Sequence, residues 1–215
     1  MKPPDKILIF RITHINNLDH ILEHGIYTAN SIYSNPDYIN IGDISLIETR
    51  KTIHAPNPPG GTLEDYIPFY LGPRSPMLYR IATGFDGVKR YLQDDIIYIV
   101  SSFDNVKEQK LPFFFTDGNA RSMTTAFYTS ERDFAKLDWD AIYAEQWYND
   151  ETDYNRKQKK QSELLIKDYF PVSCIEFLGV RSKKAEEKVL SLLKKRKLEI
   201  DIITSPTSLY YDNIR

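Results

Sequence analysis

This chain of 215 residues is poor in the side chains that most often announce a chemistry: one cysteine, four histidines and nine glycines. A single cysteine excludes a disulfide framework within the chain and points to a reducing compartment. That cysteine, Cys174, sits in the apolar run "VSCIEFLGV", a poor setting for a low-pKa nucleophile. No apolar stretch approaches the ~18 residues of a membrane span, and "MKPPDKILIF" is too short and too acidic for a signal peptide. The expectation is a soluble, cytoplasmic protein with no membrane partner. The glycines form neither a P-loop nor a G-x-G-x-x-G turn, so dinucleotide binding at a Rossmann helix terminus is unsupported. His20 and His24 are spaced to share a helix face, but no H-E-x-x-H pattern or cysteine partner accompanies them. No metal is expected.

Charge of one sign is also lacking. The net charge of −2 does not announce a nucleic-acid binder. Its distribution is uneven, with Arg156, Lys157, Lys159 and Lys160 forming one basic cluster and the stretch from Lys183 to Lys197 another. A local basic surface attracts phosphates whatever the total; the plain alternative is two solvated helix faces. The 41% hydrophobic content and the 15 tyrosines and 11 phenylalanines supply a core. No linker appears, so residues 1–215 are expected to form a single domain.

Along the chain, "KILIFRIT" reads as a buried strand, followed by a short helix capped at Asn16 or Asn17 and closed by Gly25. Residues 33–76 are dense in punctuation and read mostly as loop, with a short helix near residues 43–51. Strands are expected at "PMLYRIA", "IIYIVSS", "PFFFTD", "CIEFLGV" and "EIDIITS". Short helices are expected at "GVKRYLQ" and from "ARSMTTAFY", and an amphipathic one at "SKKAEEKVLSLLKKR". Neither βαβ alternation nor an internal repeat is visible, which argues for a mixed α+β domain.

Taken one at a time, the polar residues invite plain readings. Glu163, just after Gln161 and just before an apolar run, reads as a solvated residue at a strand edge. His14 reads as a satisfied structural histidine, Arg74 as a turn tie, and Met77 and Tyr79 as core. Together they carry more. "RITHINNLDHILEHGI" (11–26), "IGDISLIETRK" (41–51), "GTLEDYIPFYLGPRSPMLY" (61–79), "FTDGNARS" (115–122), "LDWDAI" (137–142) and "KQSELLI" (160–166) stand in one order. In that order they resemble the DarT-type ADP-ribosyltransferases, NAD-consuming toxins that modify bases of single-stranded DNA.

The resemblance covers nearly the whole chain. It implies an ADP-ribosyltransferase-like fold: a split mixed β-sheet core with peripheral helices and long functional loops. Residue by residue, it implies that Glu163 is the catalytic glutamate and Arg50 the active-site arginine near the NAD phosphates, with Lys51 the neighbouring candidate for that place. Thr13, His14, Asn17, Tyr70 and Met77 then belong to the NAD site, and Gln161, Arg74, Asn119, Lys157 and Lys159 to the acceptor side. Gln161 and Glu163 form a Q-x-E arrangement in which the first residue touches the acceptor; Gln161 also reads as an ordinary polar residue before a strand. The family commonly has histidine within "TDGHA", where this chain has Asn119. An amide hydrogen-bonds as an imidazole does but cannot shuttle a proton.

The implied partners are NAD as co-substrate, single-stranded DNA modified most simply at thymine, and a macrodomain-type antitoxin that reverses the mark. Rival readings are an ADP-ribosyltransferase acting on guanine, RNA or protein, and a catalytically silent module that stacks single-stranded bases on its aromatics. A carboxylate in the site speaks against the last, because binding a polyanion gains nothing from it.

Overall fold

The computed structural model describes residues 2–42, 48–205, 207–212 and 214. An eight-stranded sheet has its strands in the order β10-β9-β4-β1-β3-β7-β5-β6. These strands are β1 (Leu8–His14), β3 (Tyr66–Tyr70), β4 (Ile96–Ser102), β5 (Phe113–Thr116), β6 (Phe127–Tyr128), β7 (Glu163–Lys167), β9 (Phe177–Val180) and β10 (Asp201–Thr204). Neighbours run antiparallel except β9 and β10. A separate ribbon pairs β2 (Ile26–Tyr27) with β8 (Tyr169–Phe170). The α+β expectation holds, and the sheet is mixed.

The sheet is split in the middle. β1 pairs β4 along its whole length, from Leu8–Ser102 to His14–Ile96. Toward β3, the described register links it at Phe10–Tyr70 alone. Pro68 explains the gap. In a strand the amide and carbonyl of one residue point the same way, and the Pro68 carbonyl accepts from Arg11 Nη1 of β1 at 3.0 Å. Its missing N–H therefore faces β1 as well, so no ladder bond forms there. On its other side β3 pairs β7 through Pro68–Leu165 to Tyr70–Glu163. The arginine side chain bridges where the backbone cannot.

Alternation along the strands builds two unlike faces. Ile9, Ile97, Ile99, Phe69, Leu164 and Ile166 join one continuous core that crosses both half-sheets. That core is covered by α1 (Leu18–His24), α3 (Phe103–Glu108) and the last helix, Lys183–Arg196. The opposite face carries two separate clusters. Phe10, Ile12, Tyr98 and Val100 pack with Leu78, Ile81 and Tyr210 on one half, and Leu63, Tyr66, Phe114 and Leu165 on the other. A cleft lies between them.

Several elements differ from the sequence expectation. "PMLYRIA" is a helix, α2 (Pro76–Thr83), because Ser75 Oγ accepts from Leu78 N, proline stands in the first turn and Gly84 closes the end in the left-handed region. β3 lies inside the stretch read as loop. "GVKRYLQ" runs without regular structure from one 3-10 turn at Phe85–Gly87 to another at Gln93–Asp95, and "ARSMTTAFY" is turn leading to β6. Cys174 ends a 3-10 turn ahead of β9, where burial drives its thiol up to about 11. Of the helix expected near residues 43–51, residues 43–47 lie outside the described set, and residues 48–50 are helical. The second basic cluster fastens helices together: Arg196 and Lys195 both bond Asp19 of α1 at 2.7 Å.

After β3 the chain passes Gly72 beneath α4 (Trp139–Tyr143), and a Cβ on Gly72 would stand 2.4 Å from the Ile142 carbonyl oxygen. Gly72→Ala must displace one backbone or the other. Denaturant titration is expected to show a loss of about 1–3 kcal/mol, and an unchanged midpoint would mean the two segments are not held together.

Candidate active site

The cleft opens over the split and has a volume of about 460 Å³, within the ~300–1,000 Å³ typical of ligand sites. Glu163 is the first residue of β7 and shares a face with Leu165, so it points to the divided side of the sheet. It is 5% exposed, and no partner meets its Oε2. Burial pushes its carboxyl up to about 7, opposed by the guanidinium groups of Arg50 and Arg121 and the Ala120 amide. Arg50 is half-buried, and its Nη2 donates to the Leu63 carbonyl at 2.8 Å and the Tyr66 carbonyl at 3.3 Å. Burial pulls its guanidinium down and Glu163 holds it up. These two bonds fix the group's orientation before any ligand arrives. Lys51 is solvent-facing and paired with Glu48 at 3.0 Å.

Tyr70 lies directly across from Glu163, with its hydroxyl 3.5 Å from Met77 Sδ. Burial, then the neighbouring carboxylate, raises its phenol well above the usual value. At the acceptor end, Asn119 Nδ2 donates to Gln161 Oε1 at 3.3 Å, and Gln161 Nε2 donates to the Lys157 carbonyl at 2.9 Å. Arg50, Tyr70, Met77, Asn119, Lys157, Gln161 and Glu163 thus line one cavity.

The other candidates stand behind or beside its wall. Asn17 Nδ2 donates to Thr13 Oγ1 at 3.0 Å and to the Ile39 carbonyl at 2.9 Å, and its Oδ1 accepts from Ile39 N at 2.8 Å. This pair pins the loop whose Tyr38 and Asn40 reach the cleft. His14 Nδ1 accepts from Asn16 N, its ring meets the Tyr91 edge, and burial lowers its pKa against Asp95. The Arg74 side chain bonds the Thr207 carbonyl at 3.2 Å and Glu145 at 3.1 Å. The first basic cluster is divided: Arg156 is bound to Asp150, Lys159 lies between Asp138 at 2.8 Å and Asp153 at 3.0 Å, and Lys160 is buried.

Residues not singled out from sequence also form the wall, notably Arg11, Tyr38, Tyr66 and Arg121. Arg121 follows Asn119 by two in "TDGNARS", and that nearness was the available signal. Arg11 lies within "KILIFRIT", which as a strand pattern does not mark it out. Among the described residues no group of three histidine, cysteine, aspartate or glutamate side chains is arranged to hold a metal ion.

A buried carboxyl carries a pH signature in stability. The folded form keeps the Glu163 proton where the unfolded chain releases it. The stability it contributes is therefore full below about 4.5 and lost as pH rises to about 7. Glu163→Gln removes that loss. At pH 8 it is expected to be more stable than wild type by on the order of 3–4 kcal/mol, from about 1.4 kcal/mol per pKa unit over the rise from 4.5 to about 7. The gain should vanish near pH 4.5, as read by denaturant melts across pH; a pH-independent difference would mean that the carboxyl is not buried as described.

With this geometry in hand, the likeness to known proteins is informative. The family model for "ssDNA thymidine ADP-ribosyltransferase, DarT" matches residues 10–211. A DNA ADP-ribosyl transferase of Escherichia coli O127:H6 is 35% identical over 201 residues, covering 94% of this chain and 92% of that protein. The structure of Thermus sp. 2.9 DarT in complex with ADP-ribosylated ssDNA superposes with a TM-score of 0.88 at 34% identity, covering 98% of this chain and 100% of that one. The same protein in complex with NAD+ gives 0.83 at 34% identity, covering 97% and 99%. A DNA ADP-ribosyl transferase–DNA ADP-ribosyl glycohydrolase fusion protein of Thermosipho africanus is 28% identical over 210 residues, which is 95% of this chain and 50% of the fusion. A divided sheet face with a buried glutamate, one of whose oxygens is unpartnered, beside a fixed arginine, and matches that run nearly end to end, place the chain in one family: it belongs to the DarT DNA ADP-ribosyltransferases.

Proposed function

We propose that this NAD-dependent DNA ADP-ribosyltransferase moves ADP-ribose to a ring nitrogen of thymine in single-stranded DNA. We further propose that it acts as the toxin of a pair whose macrodomain-type antitoxin removes the mark. The second part draws on the Thermosipho fusion, which joins a transferase to a glycohydrolase in one chain. The observation that carries the chemistry is the buried Glu163 Oε2, an acceptor with no partner at the wall of a cleft between two arginines.

Breaking the nicotinamide–ribose bond builds positive charge on the ribose carbon. A carboxylate fixed in a water-poor cleft and bonded to a ribose hydroxyl stabilises that charge more than the ground state. Arg50, fixed by two carbonyls, suits the pyrophosphate as a rigid fork. The nitrogen–ribose bond forms as the nicotinamide bond breaks, neutral nicotinamide leaves with the bonding pair, and the proton of the ring nitrogen passes to water. Asn119 has no titrating proton, so its part is to orient Gln161. The thymine nitrogen lies on the Watson–Crick edge, hidden in a duplex.

Glu163→Ala is expected to cut transfer about 10²–10³-fold. Because the carboxylate is the working form, kcat/KM for NAD should fall about tenfold per pH unit below about 7. Near-wild-type turnover in the variant, or a flat acid limb in the wild type, would contradict the role.

For the acceptor, matched single and double strands carrying one thymine each should differ sharply in labelling read by mass spectrometry. Equal labelling of both, or labelling of guanine, RNA or protein alone, would overturn the thymine reading. Lys157→Glu should weaken binding alike on every sequence and flatten its salt dependence. Lys159→Glu, which sets a third acid beside Asp138 and Asp153, should instead lower stability. The reverse pattern would place the phosphate contact on Lys159.

A further inference from the structure

Lys160 is a buried cation that the transfer chemistry leaves unused. It caps α5 (Arg156–Lys159), its side chain is 0% exposed, and its Nζ donates to the Ile142 carbonyl at 2.7 Å. That carbonyl lies in the last turn of α4, and it is the same atom that a Cβ on Gly72 would meet at 2.4 Å. One oxygen is therefore held between the chain leaving β3 and the residue before Gln161. The bond spans 18 residues and closes the base of the excursion 143–159, which carries Lys157.

Lys159 grips the other end of the same helix. It bonds Asp138 Oδ2, while Asp138 Oδ1 caps the helix by accepting from Ala141 N at 3.1 Å. Consecutive lysines thus hold both ends of α4, and the next residues are Gln161, Ser162 and Glu163. Ser162 continues the tie, its hydroxyl donating to the Lys159 carbonyl at 2.7 Å and its carbonyl accepting from Leu71 N at 2.9 Å. Burial, reinforced by Arg74 and opposed by Glu145, drives the Lys160 ammonium down to about 7. Stripping water from an ammonium for one carbonyl bond is a poor way to stabilise a fold, and an apolar side chain of similar length fills such space at least as well. Folding alone does not explain a lysine here.

We propose that Lys160 is a positioning residue for the acceptor half of the reaction. By clasping the Ile142 carbonyl to the start of the catalytic strand, it holds the excursion bearing Lys157 at a fixed distance from Gln161 and Glu163. The inference rests on the DNA-transfer reading of the cleft, and it reaches beyond it by assigning the alignment of the strand to a group that touches neither substrate.

The test compares wild type and Lys160→Met in the full chain by three measurements. These are NAD affinity by calorimetry, steady-state transfer to a single-thymine oligonucleotide, and amide hydrogen exchange. NAD affinity should stay within about twofold and the melting temperature should hold or rise. kcat/KM for the oligonucleotide should fall at least about tenfold, mainly through KM, as orientation is lost. Exchange should accelerate selectively in residues 143–159.

If the methionine variant does not fold, Gly72→Ala strikes the same carbonyl from the opposite side and should raise the oligonucleotide KM in the same way. Where both fold, the double variant should be no worse than the worse single one. Wild-type oligonucleotide KM in Lys160→Met or in Gly72→Ala, or unchanged exchange in residues 143–159, would overturn the clasp. A wild-type protein that labels no DNA would overturn the acceptor reading instead, and the exchange result would then decide the clasp by itself.

Discussion

The site depends on a bond that cannot form. Pro68 turns its missing N–H toward β1, and the sheet parts there, held by Arg11 reaching across to the Pro68 carbonyl. Beneath the split a continuous apolar core keeps the two half-sheets rigid; above it the core is divided in two. The cleft is what remains when one face of a sheet is left unfilled along a line. Because strand residues alternate, the register that pairs Tyr70 with Glu163 puts both at that line. A slip of one residue would bury Glu163 in the continuous core, where nothing meets its charge.

Within the cleft, charge is placed at a cost to the fold. A carboxyl held near neutrality and a guanidinium sunk among backbone carbonyls both oppose burial. Each offsets the other; Arg121 further favours the Glu163 carboxylate while opposing the Arg50 charge, and Glu163 Oε2 still lacks a donor. Such a site is less stable alone than it would be with apolar residues, and that trade is characteristic of a preorganised centre. The surroundings spend their own hydrogen bonds on orientation: Asn17 on the loop at residue 39, Asn119 on Gln161, and paired lysines on the two ends of α4.

The buried strands were readable because β-branched and aromatic runs such as "IIYIVSS" leave little alternative, and the long amphipathic helix because its apolar stripe is regular. α2 was misread: its apolar content resembles a strand, while the Ser75–Pro76 cap and Gly84, which decide it, are local signals that apolar content overshadows. β3 was hidden by proline, the residue that makes the sheet split. At the site, the resemblance of ordered stretches brought Glu163, Arg50, Tyr70 and Asn119 to notice, and the fold gathers them in one cavity. It could not foretell that the basic cluster before Glu163 would be divided, because which lysine meets an acid depends on how residues 137–160 turn back on themselves. Arg11 and Arg121 reach the cleft through tertiary placement that no local pattern encodes.

In the proposed mechanism Glu163 is a buried carboxyl whose Oε2 awaits a donor and a developing positive charge. Carboxyl carbon NMR of the selectively labelled protein, with Glu163→Gln for assignment, reads its titration directly. Without NAD the midpoint should lie near 7. With NAD bound it should move down, because a ribose hydroxyl and the cationic nicotinamide both favour the ionised form. A midpoint near the ordinary 4.5, or one that NAD leaves unmoved or raises, would contradict the account.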